Sequence, residues 1–83
     1  MNIEDLLKER GKTHGDFTDN AEIAQTLKAV IYQGRYYKYR SPVEREAIDM
    51  ICHKLARAVS AERYHADNFI DIAGYAKLVS DRL

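Results

Sequence analysis

Ser41-Pro42-Val43-Glu44-Arg45-Glu46-Ala47-Ile48-Asp49-Met50-Ile51-Cys52-His53-Lys54-Leu55-Ala56-Arg57-Ala58-Val59-Ser60 is the stretch that decides the fold. Ser41 can cap a helix, Pro42 suits the first helical position, and Glu44 stands where a capping box needs it. Ile48, Ile51, Cys52, Leu55 and Val59 then recur at helical spacing and form one apolar stripe. The pattern predicts a helix running to about residue 60.

Working outward, residues 61–66 are polar and read as a short connection. A last helix follows from about Asp67 to the end of the chain. Its main apolar face is expected to carry Phe69, Ile72, Ala73, Ala76, Val79 and Leu83. A second face carries Ile70, Gly74 and Leu78 together with Asp67 and Asp71. A helix apolar on both sides needs shelter on both sides. Two helices joined by so short a connection should lie antiparallel.

Upstream, residues 35–40 interleave Tyr36, Tyr37 and Tyr39 with Arg35, Lys38 and Arg40, without helical period. Before them, Asp19 and Glu22 suggest a capping box, and Ile23, Leu27, Val30 and Ile31 recur as on a helix that Gly34 stops. Residues 3–9 suit a short helix ended by Gly11, and 11–17, with two glycines around polar residues, read as a loop. The expected fold is all-α: three main helices in a compact bundle, with a short N-terminal helix packed across it, in one domain spanning 1–83.

The 83 residues include 13 basic and 13 acidic side chains. That balance argues against coating of nucleic acid, where a basic surplus is usual. One cysteine, Cys52, excludes an internal disulfide and a cysteine-built zinc site. The opening residues lack the basic-then-apolar layout of a secretory leader, and no apolar run approaches the roughly 20 residues of a membrane span. A cytoplasmic protein is expected.

On the central helix Glu46, Asp49, His53 and Arg57 fall within about 80° of one another at 100° per residue, away from the apolar stripe. They can be an ordinary solvated face, with i,i+4 pairs worth a few tenths of a kcal/mol. They can also be half of a site. Asp67 and Asp71 project from one side of the last helix; Asp71 can pair with Lys54 or Arg57, or join Glu46 and Asp49 around a hard, oxygen-seeking ion such as Mg²⁺. The tyrosines of 35–40 can cap the core with polar tips in solvent, or stack on a base beside cations that track phosphate.

Three segments resemble a family of small phage and prophage proteins: Thr13-His14-Gly15-Asp16-Phe17 with Asn20-Ala21, Arg45 to Arg57, and Asp67-Asn68-Phe69-Ile70-Asp71-Ile72-Ala73-Gly74-Tyr75-Ala76. The last block, with Asp67, Asp71, Gly74 and Tyr75 in order, is also distantly similar to the final metal-binding helix of MazG-like all-α nucleoside triphosphate pyrophosphohydrolases. That resemblance implies a homo-oligomer in a bacterial host cell that holds Mg²⁺ through Glu46, Asp49, Asp67 and Asp71. It implies phosphate contacts from Lys54 and Arg57, with His53 and Tyr75 at the same site. The sequence departs from the pattern at Asn68, where a glutamate is expected. The competing reading is a non-enzymatic helical module that dimerises through the Ile70–Leu78 face and binds a host or phage protein.

Overall fold

The computed structural model describes residues 2–62 and 65–83, with the side chains of 12–14 left aside. All regular structure among them is helical: α1 (Ile3–His14), α2 (Phe17–Tyr32), a 3₁₀ turn (Tyr37–Tyr39), α3 (Pro42–Ser60) and α4 (Asp67–Ser80). The all-α expectation and the helix order hold.

The capping box on α3 forms in full. The Glu44 amide donates to Ser41 Oγ at 3.2 Å, and the Ser41 amide donates to Glu44 Oε1 at 3.2 Å. The first helix departs from the sequence reading. It runs through Gly11, which sits in the helix with open space around it, and reaches His14. Gly15 ends it instead, at φ +80 and ψ 179. Only glycine adopts that conformation at low cost. The supposed loop 11–17 therefore shrinks to two residues. Asp16, not Asp19, caps α2, accepting from the Thr18 amide at 2.7 Å. The carboxylate two residues upstream of the first free amide won over the box further along, because it reaches the orphan donors of the helix start directly. The His14 side chain lies outside the described set, as do residues 63 and 64 of the connection.

Residues 36–40 form a tight turn closed by amides donating to carbonyls three residues back. Tyr32 and Tyr37 stack with ring centroids 4.8 Å apart, Tyr36 lies 6.3 Å from Tyr39, and Lys38 Nζ sits 5.3 Å from the Tyr39 ring. The tyrosines thus pack chiefly on each other.

α2 and α4 both pack on α3 and hardly on one another. Among the described residues, the buried apolar ones are small: Ala24, Ala47, Cys52 and Ala56. Small side chains let helices approach closely but bury little area. α4 turns Asn68, Asp71, Ile72, Tyr75 and Val79 toward the bundle, while Phe69, Ala73, Ala76 and Leu83 are exposed. The expected inward face was therefore rotated. Asn68, Ile72, Tyr75 and Val79 also follow a 3–4 spacing, and an apolar count alone did not favour a stripe that begins with asparagine.

Candidate functional site

Side-chain pairs fix how α3 is turned. On one side, Asp49 accepts from the Tyr32 hydroxyl at 2.7 Å, and His53 Nε2 lies 3.0 Å from Lys28 Nζ, both partners on α2. On the other, Lys54 meets Asp71 of α4 at 2.9 Å. At 100° per residue Asp49 and Lys54 point to roughly opposite sides of α3. Two faces of α3 lie between its neighbours. One carries Glu46, His53 and Arg57, with His53 reaching Lys28; the other carries Leu55 and Val59, exposed, with Ile48 and Ile51 half-buried.

The pairs with α2 have matched spacing. Lys28 and Tyr32 are four residues apart, as are Asp49 and His53, and the helices pair them antiparallel. Lysine can only donate, so the imidazole accepts at Nε2 and keeps its proton at Nδ1. Burial first, then the neighbouring Lys28 and Arg57 charges, lower the His53 pKa below its ordinary value. The hydrogen bond to Asp49, then desolvation, pushes the Tyr32 hydroxyl up to about 12. Burial raises the Cys52 thiol, which makes it a packing residue and a poor nucleophile.

An open cleft of about 870 Å³ lies beside this face, between α1, the start of α2 and the second half of α3. His53 and Arg57 line it, with Lys8, Arg10, Gln25 and Asp16 among the other walls. Its floor is held by a close backbone approach. A methyl group on Gly15 would lie 2.7 Å from the Ser60 carbonyl carbon. The Gly15 turn therefore rests on the last residue of α3.

The expected site residues divide among these pairings. Asp49 and Asp71 each hold a different partner, and Asp67 lies 3.6 Å from His65. Lys54, expected at phosphate, is 14% exposed and neutralised by Asp71. Glu46 is exposed, and Tyr75 is half-buried toward the bundle. Asn68, where the resemblance expects an acid, is buried against the bundle. Among the described residues, no group of three or more His, Cys, Asp or Glu side chains is placed to hold a metal ion. The face that carries Ile70, Gly74 and Leu78 is open, and a methyl on Gly74 would meet nothing within 4 Å. Close approach of another backbone at Gly74 is not realised within one chain. Sequence reasoning missed Lys28 and Tyr32. The signal was available: both stand on the polar edge of α2 at the spacing that Asp49 and His53 repeat.

Fold and site define a small all-α domain with a charged face on its central helix. The chain belongs to the family described as Domain of unknown function (DUF6378), whose model matches residues 3–82. No curated protein and no solved structure matches it. Among the described residues, no helix is long and apolar enough to cross a membrane.

Proposed function

We propose that the chain is a nucleotide-handling protein of the phage or prophage type, acting in the cytoplasm of a bacterial host on a nucleoside triphosphate. One observation carries the reading: Lys28, His53 and Arg57 gather beside an open cleft of about 870 Å³, on the face that also presents Glu46 and Asp49. Cations suited to phosphate thus adjoin carboxylates suited to Mg²⁺. In this reading Asp49 exchanges Tyr32 for the ion, with Glu46 beside it on the same face, while Asp67 and Asp71, on the α4 side of α3, take no part. Arg57 faces phosphate from the same side, while Lys54 stays paired with Asp71. Glu46 and Asp49 would hold the ion, whose chemistry when bound would be to polarise phosphoryl oxygens and acidify a bound water. Tyr36 and Tyr39 are exposed enough to stack on a base.

The test is calorimetry with Mg²⁺ and the common NTPs and dNTPs. Mg²⁺-dependent binding is expected, and Asp49→Asn should abolish it while helical circular dichroism stays unchanged. Absence of binding across that set removes the proposal.

A second reading, a non-enzymatic interaction module for a host or phage protein, is favoured by the separate pairing of Asp49 and Asp71. It expects no nucleotide binding. Capture of a defined protein partner that survives Asp49→Asn would support it.

A further inference from the structure

The two faces of α3 between its neighbours differ in kind. Beyond Glu44, the face opposite His53 carries no charge: Ile48, Ile51, Leu55 and Val59 follow in order, and Val59 is 72% exposed. The flanking helices extend it. With α2 oriented by its Lys28 and Tyr32 contacts, Val30 falls on this side, and the turn of α4 set by Asp71 brings Phe69 there. Val30 is 65% and Phe69 51% exposed. The stripe thus lines a trough in which Leu55 and Val59 are exposed and Ile48 and Ile51 half-buried.

The size of the uncovered surface says what fits it. The chain exposes 6402 Å², whereas a folded monomer of 9.6 kDa exposes roughly 5,100 Å². Its radius of gyration is 14.4 Å, against about 12 Å for a compact chain of this length. The excess, about 1,300 Å², exceeds the roughly 800 Å² per partner that a stable interface takes. Part of it belongs to α1, which projects with Ile3 and Leu7 exposed. The trough is uncharged and the whole chain is neutral, so two copies meet without repulsion. A two-fold pairing needs a patch complementary to itself, so the rim residues Val30 and Phe69 of one copy would have to seat against Leu55 and Val59 in the trough of the other.

We propose that a second copy of this chain covers the trough, in a two-fold dimer centred on Leu55 of α3. The interface lies away from Gly74, and it leaves the His53 face and the cleft free. It does not depend on nucleotide binding, so it stands or falls separately from the proposed activity.

Sedimentation velocity of the full chain without nucleotide, across a concentration series, tests it. Wild type should be dimeric at micromolar concentration. Leu55→Glu should raise the dissociation constant at least about a hundredfold, while Ile70→Glu, on the other side of α4, should leave it unchanged. Should Leu55→Glu fail to fold, Val59→Cys gives an independent readout. Mild oxidation should trap Val59→Cys as a covalent dimer faster than Gly74→Cys. A wild-type monomer throughout the series overturns the proposal. So does a dimer weakened by Ile70→Glu and not by Leu55→Glu, or faster trapping at position 74.

Discussion

Gly15 combines two demands that usually fall on separate glycines. Its φ of +80 lies where a side chain is strained, and its backbone rests on Ser60. Gly15→Ala should therefore lose both the turn geometry and the α1–α3 contact, a cost of at least about 2 kcal/mol. Urea denaturation followed by circular dichroism would measure it; a loss below the error of the extrapolation would contradict the turn. His53 yields a pH prediction. Its folded pKa is lowered, first by burial and next by Lys28, so the unfolded chain takes up the proton more readily. Stability tied to this group is present above the ordinary histidine value of about 6.5 and falls as the pH drops below it. Lys28→Met removes one of the opposing charges and should move the His53 midpoint upward in an NMR titration. A midpoint that does not move would mean that the 3.0 Å contact carries no electrostatic weight. The sequence showed His53 on a polar line. The matching spacing of Lys28 and Tyr32 was there too, but not their pairing with that line, because contacts between helices depend on a register that no single helix specifies.

Helix existence and order were legible because capping and period are local. Ser41, Pro42 and Glu44 sit next to the backbone groups they satisfy, and the box formed as written. The facing of α4 was not legible, because Asn68 begins the inward stripe and an asparagine does not announce burial. The two helical glycines separate local cost from tertiary use. Gly11 and Gly74 both lie inside helices with nothing within 4 Å of a methyl group. Each costs helix stability and gains no contact within the chain. Gly11→Ala and Gly74→Ala should each stabilise by about 1 kcal/mol, seen as a higher urea midpoint with unchanged slope. If Gly74→Ala instead destabilises, another backbone approaches there in solution, and the Ile70–Leu78 face regains its place as a contact surface.

Taken whole, the molecule has little to hold it as a lone chain. Among the described residues, the buried apolar ones are three alanines and a cysteine, while Val30, Leu55, Val59 and Phe69 remain in contact with water. Hydrophobic stabilisation scales with area removed from water, so the residues best able to supply it are the ones that folding leaves uncovered. A second copy over the trough would convert that surface into stability, and mass action then makes the melting temperature depend on concentration. For a dimer of this size unfolding to two chains, each tenfold rise in concentration adds about 1.4 kcal/mol, or roughly 4 °C. Scanning calorimetry over two decades of concentration would show it. Leu55→Glu should flatten the dependence and lower the melting temperature. Gly74→Ala should raise the curve without changing its slope. A wild-type melting temperature that stays constant over that range would make the single chain the folding unit, and its exposed aliphatic stripe would then have no role in stability.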